Sequence, residues 1–260
     1  MKTLNFIQQH RSIRRYKPDP VPEDTLNEIL EAGIRASSSG NMQSYSIIVT
    51  RDAALRQRLY EPHMQQRMVT EAPVLLTFCA DFNRMRRWLA LNNAADGFDN
   101  FMSFMVAAID ATLVSQNVAL AAEAHGLGIC YMGSTLANAD QIGAILELPT
   151  GVFPVVGFSL GYADESPKLR DRLPLDGLIH HETYQPYSDE RIAEIYHDRE
   201  TKGWQRYMSA PRLRKLIEES GVENLAQVYS EVKYSRESHQ EFSQTVLSYL
   251  HAQGFMVNDG

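Results

Sequence analysis

Apolar residues recur along this chain at two periods, and their alternation outlines the elements. Residues 23–36 carry apolar positions at helical spacing behind Pro22, with acidic residues in the first turn, and predict a helix. Residues 45–50 then have a strand pattern, and the continuous apolar run 74–80 predicts a strand covered on both faces. Segments 128–132 and 155–160 have the same character. The most apolar stretch, 104–124, is interrupted by Asp110, Gln116, Asn117 and Glu123, each costly in hydrocarbon, so it is not expected to span a membrane. Its alanine-rich, glycine-free interior predicts one long helix over 99–125, stopped by Gly126 and Gly128. A helix apolar nearly all round must be covered, as a central core helix or as part of a subunit interface. Asn138 is placed to cap a helix over 139–146, and Pro149, Thr150 and Gly151 form a turn before the next strand.

Helices separated by strands imply a layered α/β or α+β core. Beyond a loop at 164–174, which holds Lys168, Arg170, Asp171 and Arg172, only helical patterns follow, at 189–199, 211–220 and 237–253. The expected organisation is a core of residues 1–187 and a helical extension of residues 188–260 packed on the same domain, with too few apolar residues for a core of its own.

Composition narrows the function. With 44% hydrophobic and 22% charged residues in 260, the chain should fold throughout. A net charge of -7 argues against broad nucleic-acid binding, which needs a clustered basic face, and favours a small-molecule role. Cys79 and Cys130 sit inside apolar segments, so they should be buried thiols in a reducing cytoplasm rather than a disulfide or a zinc site. The basic N-terminus lacks the serine enrichment of a transit peptide. His180 and His181 have no second cluster at metal-ligand spacing, and no metal is expected.

Two patches carry candidate chemistry. His10 to Tyr16 reads His-Arg-Ser-Ile-Arg-Arg-Tyr, and Ser37, Ser38 and Ser39 lead to Gln43. Together they supply fixed cations and short hydroxyl donors, which a phosphate and a ribityl chain both require. Arg11 and Arg14 early, with Arg170 and Arg172 late, could converge on one ligand. No Gly-x-Gly-x-x-Gly unit opens a strand-turn-helix and no Walker loop is present, so neither a Rossmann site nor an NTPase site is encoded.

The ordered set of motifs resembles the nitroreductase-like flavoproteins, in particular the NADPH-dependent FMN oxidoreductases of the major oxygen-insensitive nitroreductase type. It runs from His10-Arg11-Ser12-Ile13-Arg14, through Ala36-Ser37-Ser38-Ser39 with Gln43 and then Gln66, to Phe78-Cys79-Ala80-Asp81. Ala121-Ala122-Glu123, Gly126-Leu127-Gly128 and Tyr131-Met132-Gly133 follow, with Gly161 and Arg172-Leu173-Pro174 last. Gly40, Asn41 and Ser134 depart from the family pattern, Ser134 standing where a second glycine is common.

The resemblance, over about residues 5–199, implies an α+β nitroreductase-like fold: a central, mostly antiparallel sheet flanked by helices. It implies that His10, Arg11, Ser12 and Arg14 grip FMN, with Arg14 near the pyrimidine edge of the ring, where a cation favours added negative charge. Ser38 and Ser39 would serve the ribityl and phosphate region, and Gln66 the ring's polar edge. Tyr131, Met132 and Gly133 would lie along the ring, and Arg170 and Arg172 would complete the phosphate clamp. Arg199, with Lys202 nearby, is the candidate for the NADPH phosphate. The implied activity is ping-pong hydride transfer from NADPH or NADH to a nitroaromatic, quinone or flavin, with no side-chain acid or base and so no catalytic residue. A homodimer with FMN at the interface follows, without nucleic-acid or membrane partners. The alternatives are a flavin-binding carrier or redox sensor without turnover, a related reductive dehalogenase or flavin-fragmenting enzyme, and a regulatory module whose basic N-terminus contacts nucleic acid or an acidic partner.

Overall fold

A computed structural model of the chain describes residues 6–258. Its centre is a four-stranded antiparallel sheet of β1 (Tyr45–Thr50), β2 (Val74–Asp81), β3 (Gly128–Met132) and β4 (Val152–Gly161), ordered β1-β2-β4-β3. Every residue of β2 is buried, because the strand is internal and covered on both faces. Register runs from Tyr45 opposite Ala80 on one side of β2 and from Val74 opposite Leu160 on the other. β4 starts three residues earlier than its pattern predicts. Pro154, which lacks a ladder donor, masks the start, and it is tolerated because the β2–β4 pairing shifts register at Phe78/Cys79, opposite the proline.

Helix α1 (Glu23–Gly33) buries Leu26, Ile29 and Gly33, and ends three residues before the predicted limit as the chain turns towards the serine loop. The short helices α2 (Ala53–Leu59) and α3 (Met68–Glu71) precede β2, and α4 (Asn83–Leu91) follows it. The long helix α5 (Phe101–Ala124) is capped by the Asn100 side chain, which accepts from the Ser103 amide at 3.0 Å. It closes at Gly126, whose φ of 76° is the left-handed conformation that ends a helix. Ala107, Ala111, Val114, Val118 and Ala122 of α5 are fully buried; Ala111, Val114, Val118 and Ala122 share one cluster with Phe78 and Phe158 of the sheet.

The rest of α5 is not covered within this one chain. Met102, Ile109 and Leu113 are 69%, 52% and 44% exposed, so the helix has one core face and one apolar face open. Among the described residues it is the single helix long and apolar enough to cross a membrane by length and composition.

α6 (Ser134–Ala137) and α7 (Ala139–Ile145) follow β3. The Asn138 side chain does not cap α7; its amide donates to the Pro62 carbonyl at 2.7 Å instead. The longer helices of the remaining described chain are α8 (Asp189–Met208), α9 (Pro211–Ser220) and α10 (Arg236–Ala252), α8 running well past the predicted end at residue 199. The chain separates into two compact units, residues 1–168 with 242–260, and residues 169–241. In the first, Val246, Tyr249, Leu250 and Phe255 pack with Phe104 and Phe153. The second holds a small apolar cluster of its own, where Ile217, Val222 and Val228 meet Trp204 and Tyr207; its aromatic members supply area that a count of aliphatic residues misses.

Gly33 shows how closely α1 lies on α5, since a Cβ built there would stand 2.1 Å from Val118 Cγ2. Gly33→Ala is expected to destabilise the chain by about 1–3 kcal/mol through overpacking, read as a lower urea midpoint with an unchanged m-value.

Candidate functional site

The N-terminal arm is stitched to β3. Ser12 bridges Ile129, the Ile13 amide donates to the Ile129 carbonyl at 2.8 Å, and the Ile13 side chain occupies the space that a Cβ on Gly128 would need. The buried Tyr16 hydroxyl donates to the Ile13 carbonyl at 2.6 Å and meets Ser159 Oγ at 2.8 Å, and burial raises its pKa. With Ile13 and Tyr16 directed inward, Arg14 and Arg15 are left exposed. Their backbone amides donate to one Glu165 carboxylate oxygen, at 2.5 and 3.1 Å.

Beside the arm lies a cleft of about 270 Å³ lined by Gln9, His10, Arg11, Glu123 and Glu165 among others. His10 Nδ1 donates to Glu123 of α5 at 2.5 Å. The Arg11 guanidinium reaches the Gln9 carbonyl and side chain, both at 3.3 Å, while its Nε is buried without a partner. An unpaired buried donor in a cleft marks a place for an acceptor the protein does not itself provide.

Ser38 and Ser39 lie in a loop where Gly40, Asn41 and Gln43 have φ of 55°, 56° and 52°. The wholly buried Asp110 of α5 holds this loop, accepting from the Ser39 amide at 2.9 Å and the Ser44 hydroxyl at 3.1 Å. Arg84 ties its far end, donating to the carbonyls of Gln43 at 2.6 Å and Tyr45 at 3.0 Å.

Tyr131 is half-buried on β3, its hydroxyl 3.1 Å from Ser115 Oγ of α5, and burial raises its pKa. Met132 is buried and Gly133 exposed at the strand end. Immediately after it, the Ser134 hydroxyl lies 2.9 Å from Nδ1 of the buried His63, and the Gln66 amide reaches Ser134 Oγ at 3.2 Å and the His63 carbonyl at 2.9 Å. Burial drives the His63 pKa down to about 4.

Arg170, Arg172 and Arg199 belong to the unit of residues 169–241. Arg170 and Arg172 are exposed, and Arg172 donates to the Asp171 carbonyl at 3.1 Å. Arg199 donates to the Asp171 carboxylate at 3.0 Å and to the Tyr229 hydroxyl at 3.0 Å, and Arg206 shares the same carboxylate at 3.2 Å. Partial burial raises the Asp171 pKa, but the hydrogen bonds from Arg199 and Arg206 outweigh it and hold the carboxyl below its ordinary range.

The structure thus brings together His10 with Arg11, Ser12 with β3, and Gln66 with the end of β3. Glu123, Ser115 and Asp110, which sequence reasoning did not select for the site, each hold one of its segments from α5. Their signal was present as polar residues in an otherwise apolar helix.

Residues 7–162 match the nitroreductase family. The chain belongs to that family. A relative from Bacillus subtilis, named FMN reductase [NAD(P)H], is 33% identical over 246 residues, covering 85% of this chain and 97% of its own. A solved chain from Bacteroides fragilis is 42% identical with a TM-score of 0.89, covering 98% of this chain and 100% of that one. The NADPH:FMN oxidoreductase of Vibrio harveyi, solved with NAD+, is 27% identical with a TM-score of 0.81 over 99% and 100% of the two chains.

His63 gives this nitroreductase-family chain an acid-sensitive point. A buried histidine held neutral takes up its proton less readily folded than unfolded, so its contribution to stability is present above pH ~6.5 and is lost as pH falls towards 4. His63→Asn is expected to flatten the stability curve in that window by about 3 kcal/mol, measured by urea titrations at half-unit pH steps.

Proposed function

We propose that this chain is an FMN-dependent oxidoreductase that passes hydride from NAD(P)H to a nitroaromatic, quinone or flavin acceptor in a ping-pong sequence. The observation that carries the reading is the family match over residues 7–162, joined to an FMN reductase relative matched over 97% of its length. The residues present suit the cofactor: Arg11 offers a buried unpartnered Nε in a cleft that also holds His10. Bound FMN supplies the two-electron centre that nicotinamide reduces and the acceptor reoxidises. His10, Arg11 and Ser12 would hold it, Arg14 would set a positive potential at its pyrimidine edge, and Tyr131, Met132 and Gly133 would flank the ring. Ser38 and Ser39 serve the ribityl and phosphate region. By the family resemblance Arg170 and Arg172 would serve the FMN phosphate and Arg199 the NADPH phosphate. The protein orients the ring and excludes water, and no side chain needs to move a proton during hydride transfer.

The working unit is a homodimer with FMN at the interface. On α5, Asp110 and Glu123 are 13 residues apart, about 20 Å along the axis. The Ser39 loop held by Asp110 and the arm held by Glu123 therefore stand far apart within one chain, which suits donation to two cofactors across a two-fold axis. The open face of Met102, Ile109 and Leu113 is the apolar surface that a second copy covers. The site of action is the cytoplasm, where reduced nicotinamide is supplied.

Purified protein should be yellow, and NADPH added anaerobically should bleach it faster than NADH. A protein that takes up no FMN refutes the reading, and a bound flavin that neither nucleotide bleaches favours the carrier. Arg14→Ala should weaken FMN binding about tenfold, and unchanged occupancy would remove Arg14 from the site. Ile109→Glu should halve the mass measured by light scattering, whereas an unaltered dimer would exclude this face as the interface.

A further inference from the structure

The orientation of the Gln66 side chain is dictated from behind. Its amide contacts the His63 carbonyl at 2.9 Å, and because a carbonyl only accepts, the contacting atom is the nitrogen. The same nitrogen lies 3.2 Å from Ser134 Oγ and has no lone pair to offer, so Ser134 accepts there. The Ser134 hydroxyl also meets His63 Nδ1 at 2.9 Å, which holds its oxygen in place beside the amide nitrogen. Both amide hydrogens of Gln66 are consumed, and its Oε1 alone remains to meet a ligand.

The supporting loop is built to hold this arrangement. Met64 and Gln65 are both left-handed, with φ of 56° and 54°, and the Gln65 amide returns to the Tyr60 carbonyl at 2.9 Å. The Asn138 amide clamps the Pro62 carbonyl at 2.7 Å. His63 and Ser134 are 1% and 5% exposed, so water does not compete for the chain of hydrogen bonds.

We propose that His63 and Ser134 are positioning residues that lock Gln66 as an acceptor, so that its Oε1 takes the single imide N–H on the pyrimidine edge of the flavin. This rests on the FMN reading above. The edge presents one N–H between two carbonyls, and an amide free to turn over could satisfy either kind of group. The locked amide instead selects the N–H, and it excludes a ring in which that hydrogen is replaced.

The experiment is titration of the apoprotein with FMN and with its N3-methyl analogue, following flavin fluorescence and the visible spectrum. Wild type should bind the analogue about tenfold more weakly, the loss expected of one hydrogen bond in a desolvated site. Ser134→Ala frees one amide hydrogen, and His63→Leu removes the ring nitrogen that holds the Ser134 hydroxyl; each should shrink that ratio to about twofold. His63→Asn keeps a hydrogen-bonding group in place of Nδ1 and should keep the wild-type ratio. Equal affinities of wild type for the two flavins would overturn the proposal, as would an unchanged ratio in the alanine or leucine variant. Should those variants not fold, the wild-type ratio and His63→Asn still decide. Failure of the wild type to bind FMN at all would refute the underlying function instead.

Discussion

Helix α5 lies against the sheet with an apolar face interrupted by a few polar side chains, and those interruptions hold the chemistry in place. The buried Asp110 carboxylate matters most. It satisfies a backbone amide and a hydroxyl of the serine loop at once, and removing it would leave both without a partner at about 1–3 kcal/mol each. That is comparable with the cost of keeping Asn41 and Gln43 left-handed, at about 1–2 kcal/mol apiece. The loop therefore keeps its shape because a carboxylate in the core pairs with it.

The same helix carries Ser115 beneath Tyr131 and Glu123 beside His10, so one rigid rod sets the spacing of three candidate site segments. Rigidity there suits hydride transfer, in which the protein contributes geometry and potential rather than a proton. The opposite face of α5 is apolar and open, which one chain cannot leave in water without penalty.

Much of this was legible along the chain. β1 and β3 match their predicted limits because each apolar run is bounded by turn or glycine residues. The long helix was found within two residues at its start and one at its end, since its interior lacks glycine and Gly126 is a local stop signal. The ordered motifs from His10 to Tyr131 carried the family resemblance before any coordinates. The start of β4 was missed because Pro154 opposes strand pairing unless a register shift absorbs it, and a register shift belongs to two strands. The end of α8 was missed because Trp204, Tyr207 and Met208 look sparse until they meet Ile217 and Val228.

Local order along the chain determined the periods, the caps and the order of the family motifs, because each depends on neighbours within a few residues. Tertiary structure alone decided which lone polar group serves which segment. Ser115 was not singled out, and Asp110 and Glu123 were read as interruptions of an apolar helix, Glu123 also as part of a motif, with no partner until His10, 113 positions from Glu123, came within 2.5 Å of it. In the same way the facing of the Gln66 amide depends on Ser134, 68 positions away, since a hydrogen bond has direction and reaches only about 3 Å.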